Sequence, residues 1–325
     1  MAAQVEAVTA ATGPAGGVPA GGATGRRGAR RRRAGFLPLL LLVPSVAVLV
    51  GLTGWPLVRL LVMSTQEYGR AQVFGAPPEF VGFDNYTAVL GDPVFWQVLA
   101  RSIAFCAVNV ALTMTLGMLI ALLLTRLGTL MRLSVTIALL LAWAMPALTA
   151  VVIWGWMFDS DYGVVNYVLT EAGGDFIGHS WLIQPLSFFA VATIVVTWQS
   201  IPFVAFTLYA ALTQVPGEVL EAAQLDGAGP AARFRRIVVP LLKPVIMILL
   251  ILQIIWDLRV FTQIFALQDD GGIASETSTI GVYIYQVGVA QGNFDTGSAI
   301  AVILVVIMLG ASFVHVNRVL REETL

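Results

Sequence analysis

Long apolar runs separated by short polar segments dominate the chain, and within those runs there is no two-residue alternation. A helix crossing a hydrocarbon core about 30 Å thick needs about 20 predominantly apolar residues. Six stretches meet this requirement, over residues 36–62, 102–124, 133–157, 186–212, 244–267 and 297–316. They are continuous and rich in Leu, Ala and Ile, whereas a membrane barrel strand alternates over about 10 residues. The pattern predicts an all-α membrane protein with six transmembrane helices.

Composition agrees. Of 325 residues, 58% are apolar and 11% charged, far from the quarter charged that is usual in soluble domains. The net charge of −1 matters less than where the charges fall. Arg26, Arg27, Arg30–Arg33, Arg126, Arg132, Arg233, Arg235, Arg236, Lys243, Arg318 and Arg321 lie in the tails and in alternate loops. The other loops carry acids such as Glu67, Asp84, Asp159, Asp161, Glu171, Asp269 and Asp270. The positive-inside bias then places both termini in the cytoplasm. Three segments follow: a disordered Arg-rich cytoplasmic tail over 1–35, a six-helix membrane domain over 36–317 with a cytoplasmic loop at 213–243, and a short cytoplasmic tail over 318–325. The arginine cluster before the first span suits lipid headgroups better than nucleic acid. The apolar run after it exceeds the 7–15 residues of a signal core, so the first span is expected to be retained.

Catalytic constellations are missing from the sequence. Cys106 is the single cysteine and has no partner for a disulfide or a thiolate cage. His179 and His315 form no HExxH pair, so no metal site is expected. Lys243 is followed by Pro244, which excludes a GxxxxGK[ST] phosphate loop. Ser102, Ser187, Ser200 and Ser298 lack a base at a recognisable spacing. The chain reads as non-catalytic.

The loop between the fourth and fifth apolar runs carries helix punctuation. Pro216 suits a helix start, Glu218 and Glu221 place negative charge near the positive helix end, and Gly227 sits where a left-handed residue is wanted. A short helix is expected over 218–226. Pro230 starts a second, with Phe234, Ile237 and Val238 on one face, which Pro240 and Pro244 are expected to end. Ala222 and Ala223 permit close approach by another surface, and Glu221 and Asp226 offer charge to it. A docking knob and an ordinary amphipathic loop both fit these residues.

The run Glu221-Ala-Ala-x-x-Asp-Gly227, followed by Ile237-Val-Val-Pro240, resembles the EAA loop of permease subunits of binding-protein-dependent ABC importers. Phe80-Val-Gly-Phe-Asp-Asn-Tyr86, Asp92-Pro-Val-Phe-Trp96, the segment from Met157 to Asn166 and Trp256-Asp-Leu-Arg-Val-Phe261 resemble the carbohydrate branch, on the side of the maltose-type first permease, and within it the Arg-rich, Lys-poor tail and loops resemble most the mycobacterial-type trehalose importer permease. The resemblance implies the type I ABC importer permease fold in a bacterial inner membrane. It also implies a second permease, two ATPase subunits, an extracytoplasmic sugar-binding lipoprotein and a sugar substrate, a disaccharide such as trehalose. ATP and Mg would be bound by the ATPase partner, with no cofactor in this chain. The resemblance further implies that Glu221, Ala222, Ala223, Asp226 and Gly227 couple to that ATPase. The stretch Gln268-Asp-Asp-Gly-Gly-Ile273 keeps only part of the family's Gly-rich segment, and the first outer loop is short. An ion-driven carrier half and a membrane scaffold docking through the loop are the competing readings.

Polar residues inside apolar runs need a reason. A carboxylate at a span centre costs about 2.5–3.5 kcal/mol on insertion scales, so Asp257 is a functional candidate. Gln253 lies four residues earlier on the same face, Arg259 falls on another face, and Asn109 and Gln199 add polar groups in other spans. These five are candidates for a sugar path, and structural contact with neighbouring helices is the alternative. Arg59 is expected to snorkel. Trp55, Trp96, Trp154, Trp156 and Trp181 are expected as interfacial anchors.

Overall fold

The computed structural model describes residues 37–323, so the Arg-rich tail over 1–35 and the last two residues of the C-terminal tail lie outside the described residues. The chain divides into two compact units, one through Leu57 and one from Val58. The first contains α1 (Leu37–Leu49), a π-helical turn over Val50–Gly54 and the start of α2 (Trp55–Met63). Its Leu41, Leu49 and Leu52 side chains are exposed. That much bare apolar surface on one helix suits lipid or a membrane partner rather than water.

The second unit opens with the rest of α2, then α3 (Arg70–Val73) between two short antiparallel strands, β1 (Gln66–Glu67) and β2 (Glu79–Phe80), followed by α4 (Asp84–Gly91). Then come α5 (Pro93–Arg126), α6 (Thr129–Ala144), α7 (Ala147–Met157), α8 (Val164–Glu171) and α9 (Pro185–Leu212). The rest is α10 (Gly217–Leu225), α11 (Pro230–Arg233), α12 (Val239–Leu258), α13 (Thr262–Asp269), α14 (Ala274–Thr277), α15 (Ile280–Tyr285) and α16 (Phe294–Glu323). Among the described residues, five helices are long and apolar enough to span a membrane, and six if α6 and α7 together count as one span.

The central pair is α5 against α9. Asp92 caps α5 by accepting from the Val94 amide at 2.8 Å, with Pro93 in the first turn. Small residues let the two helices approach: a methyl group added to Gly117 would come within 2.6 Å of Val204 Cγ1. Across this contact Thr197 Oγ1 donates to Asn109 Oδ1 at 3.1 Å, so two polar groups buried in an apolar setting satisfy each other.

Three sequence expectations are corrected. The apolar run over 133–157 is not one straight helix, because α6 and α7 meet at 104°. Met145 is extended (φ −71°, ψ 129°), as a residue before proline tends to be, and Pro146 starts the new direction. Pro240 and Pro244 do not end the helix begun at Pro230. The chain passes through a π-helical turn over Phe234–Val238 straight into α12, with Pro240 just past that turn and Pro244 further inside the helix. Trp154 and Trp181, expected as interfacial anchors, pack instead with Phe158 against the core around Phe188, Val191 and Ile264.

One element has no counterpart in the sequence reading. Residues 280–290 form a short apolar helix, α15 continued by a π-helical turn. Ile280 and Val282 are buried, and Ser102 Oγ accepts from the Ile280 amide at 2.7 Å. Gly288 and Gly297 meet so closely that a methyl group on Gly297 would lie 2.4 Å from the Gly288 Cα, which lets this helix lie directly on α16.

Candidate functional site

Two features stand out, an elbow at one end of the second unit and a cavity beside two interrupted helices. The elbow is α10 followed by α11. Glu218 lies in the first turn of α10, and Gly227 terminates the helix at φ +83°. The Gly227 amide donates to Gln224 O at 3.1 Å and the Ala228 amide to Ala223 O at 2.9 Å, the paired bonds of a Schellman stop. Arg233 Nη1 then donates to Gln224 Oε1 at 2.8 Å, tying the two arms together.

The elbow has a seated side and a free side. Val215, Leu220 and Phe234 pack on a core of Ala121, Val204, Leu208, Val238 and Leu242, where α5 and α9 end and α12 begins. Arg132, next to this end, lies 6.0 Å from the Tyr209 ring centroid. Glu221, Ala222, Asp226 and Gly227 are exposed, and Ala223 is half-buried. Leu225, absent from the sequence-based candidates, is 90% exposed at the tip. Its place directly before Asp226 and Gly227, at the expected end of the short helix, is the sequence signal that would have found it.

The cavity, of ≈ 370 Å³, is lined by Trp143, Met145 and Ala147 from the α6–α7 break and by Trp256, Asp257, Arg259, Val260 and Phe261 from the end of α12, with Gln199 of α9 and Gln263 of α13. Both helices are interrupted here, and irregular backbone at membrane depth is tolerated where it lines a cavity or is buried in protein. Three of the five polar candidates, Gln199, Asp257 and Arg259, therefore meet at one place. The other two do not. Asn109 is buried on Thr197, and Gln253 is buried with its Nε2 donating to Asp257 Oδ1 at 3.1 Å. Asp257 Oδ2 has no hydrogen-bond partner although the residue is only 4% exposed. Asp257 contributes to the cavity wall while its Oδ2 is buried without a partner, an unsatisfied polar group of the kind that native structures rarely leave unexplained.

At the far end of α7 the segment from Met157 to Asn166 forms a tight turn. Asp159 Oδ1 accepts from the amides of Asp161 at 2.8 Å and Tyr162 at 3.1 Å, which holds its carboxyl below the usual carboxylate range. The charge on Asp159 in turn raises the Tyr162 hydroxyl. Asn166 is the hub: its Nδ2 donates to His179 O at 2.9 Å and its Oδ1 accepts from Trp181 Nε1 at 2.6 Å. Asp270 lines the neighbouring cavity with Trp156 and Asp159, and desolvation, aided by the charge of Asp269, raises its carboxyl. Among the described residues, no group of three or more His, Cys, Asp or Glu side chains is placed to hold a metal ion.

The sequence pattern of the family described as "Binding-protein-dependent transport system inner membrane component" matches residues 113–323. The diacetylchitobiose uptake system permease protein DasB of Streptomyces coelicolor is 43% identical over 308 residues, covering 93% of each chain. The trehalose/maltose transport system permease protein MalF of Thermococcus litoralis is 32% identical over 294 residues, 89% of this chain and 94% of that one. Among solved structures, a chain of the bacterial alginate ABC transporter in complex with an alginate pentasaccharide-bound periplasmic protein superposes with a TM-score of 0.75 at 21% identity, over 89% of this chain and 96% of the other. That likeness concerns the fold.

Proposed function

The chain belongs to the family of binding-protein-dependent transport system inner membrane components, and from that premise we propose that it is the permease subunit of an ATP-driven importer of a small glycoside. It works with a second permease, two ATPase subunits that bind ATP and Mg, and an extracytoplasmic sugar-binding lipoprotein. It carries no catalysis itself. The elbow formed by Glu221, Ala222, Ala223, Asp226 and Gly227, with Leu225 at its tip, docks on the ATPase at the cytoplasmic face and passes its closure to α9 and α12.

The observation that carries the coupling role is the two-sided elbow: a capped helix rooted in the core by Leu220 and Phe234 and bare on its other side. A knob of that form transmits force only if something outside the chain grips it. The cavity at the two helix breaks supplies the solute path, with Asp257 as acceptor, Arg259 as donor, and Trp143 and Trp256 as apolar faces for sugar rings.

The names of two relatives, the diacetylchitobiose and trehalose/maltose permeases, favour a substrate of about two sugar units. The 43% identity to the diacetylchitobiose permease favours an N-acetylated disaccharide over the trehalose expected from loop composition. The test is uptake by the reconstituted full complex, comparing labelled diacetylchitobiose with trehalose, with ATP inside the vesicles. Import that needs ATP and ignores ionophores supports the reading; import that collapses with the proton or sodium gradient assigns the chain to an ion-driven carrier instead.

A further inference from the structure

One side chain ties together the two interrupted helices at the cavity. Gln199 sits on α9, which runs unbroken between them. Its Nε2 donates to the carbonyl of Met145, the residue at which α6 stops, at 3.2 Å. Its Oε1 accepts from Gln263 Nε2 at 3.0 Å, and Gln263 lies in the first turn of α13, just beyond the interruption of α12. Both ends of one amide are therefore used, one for each break. The helices it links also share a core, since Ala150 and Val151 of α7, Val191 and Val195 of α9, and Ile264 and Leu267 of α13 are buried in one cluster.

The geometry has a mechanical meaning. At the 104° junction the chain has left its helical ladder, so the Met145 carbonyl depends on a donor from elsewhere to stay satisfied away from water. Gln199 supplies that donor, and Gln263 holds the Gln199 amide in the orientation that supplies it. Met145, whose carbonyl is so fixed, lines the cavity together with Trp143 and Ala147 on either side of the bend.

We propose that Gln199 is a positioning residue for transport: by bridging Met145 and Gln263 it fixes the angle of the α6–α7 bend and with it the width of the cavity, rather than serving as a contact of the solute. The inference rests on reading that cavity as the solute path. Gln263 acts only through Gln199, so the two should behave as one unit.

The test uses the full importer complex in lipid, with spin labels at Leu140→Cys and Ile153→Cys, exposed positions on α6 and α7, in a Cys106→Ser background. A narrow distance distribution across the bend is expected for the parent and a broadened or second distribution for Gln199→Leu. Gln199→Glu keeps the length and the acceptor for Gln263 but loses the N–H, and should broaden the distances as well. In uptake assays the KM for the glycoside should rise about tenfold in Gln199→Leu, with kcat changed less than twofold. Gln263→Leu should give a smaller effect, and the double variant should be no worse than Gln199→Leu alone. Unchanged distances in Gln199→Leu, or additive effects in the double variant, overturn the proposal. If Gln199→Leu does not assemble, Gln263→Leu, which leaves the bond to Met145 available, decides the question by the same distances. Distances that respond to the substitutions in a complex importing neither disaccharide support the latch and count against the proposed substrate alone.

Discussion

Gly227 offers the sharpest test of the elbow, because the structure separates backbone strain from crowding. The residue sits at φ +83°, yet a methyl group added there would meet no atom within 4 Å. Any penalty for a larger residue is therefore conformational. The left-handed region costs an ordinary L-residue roughly 1–2 kcal/mol, with Asn tolerated far better and β-branched residues worst. Escaping the strain means giving up the bonds from the Gly227 amide to Gln224 and from the Ala228 amide to Ala223. α10 has nine residues and none of them is fully buried, so it has little reserve, and isolated helices of that length are marginal. A cost of about 1–2 kcal/mol shifts the balance between formed and unformed elbow about 5- to 30-fold. Gly227→Asn should stay near wild type, Gly227→Ala should lose about fivefold or more, and Gly227→Val should lose most. The assay is binding-protein-stimulated ATP hydrolysis and glycoside uptake by the reconstituted complex, with membrane insertion as control. Equal activity in the Asn and Val variants would rule out a backbone requirement at this position, since a Cβ there meets no neighbour.

Four further outcomes are expected. Leu225→Glu should sharply reduce co-purification of the ATPase while leaving the thermal stability of the permease unchanged, because the side chain is 90% exposed and supports no packing within the chain. Asp257→Asn keeps the bond from Gln253 but replaces the unpaired second oxygen, so the KM for uptake should rise about tenfold, the value of one hydrogen bond, with assembly intact as judged by size-exclusion chromatography. Gly117→Ala should lower the melting temperature in detergent through overpacking of about 1–3 kcal/mol, and adding Val204→Ala should recover part of it, since Val204 Cγ1 is the atom met first. Asp270 has a carboxyl pKa raised by desolvation, so the folded state binds its proton more readily than the unfolded one and stability falls as pH rises from the unfolded value through the folded one. Asp270→Asn should therefore raise the melting temperature at pH 7.5 and lose that advantage near pH 4.

The elbow is legible in the amino-acid sequence because its signals are local. Glu218 at a helix start, Gly227 at its stop and Pro230 at the next start each answer to the chain's own unpaired N–H and C=O groups. Only its far end misleads: Pro240 and Pro244 look like stops, but the π-helical turn ahead of them carries the chain on into α12. The break at Met145–Pro146 has a local signal too, a proline within an apolar run, yet hydropathy registers length and apolarity and is blind to direction. The helix over 280–290 escapes for the opposite reason, since its 11 residues are too few to cross the membrane and its burial depends on tertiary contacts, Ile280 on Ser102 of α5 and Gly288 on Gly297 of α16.

That the chain is helical with long apolar spans, and where the capped elbow lies, follows from the order of its residues alone, because bilayer thickness and helix ends impose requirements that neighbouring residues must meet. Which polar residues meet depends on how the helices pack. Asn109 is buried against Thr197, 88 residues away, Gln253 supports Asp257 from behind, and Gln199, Asp257 and Arg259 alone of the five candidates reach the cavity. In helices that are apolar on most faces, periodicity does not reveal which side turns inward. That orientation is fixed by small-residue contacts such as Gly117 on Val204 and by hydrogen bonds between distant residues, and both exist only once the helices have packed.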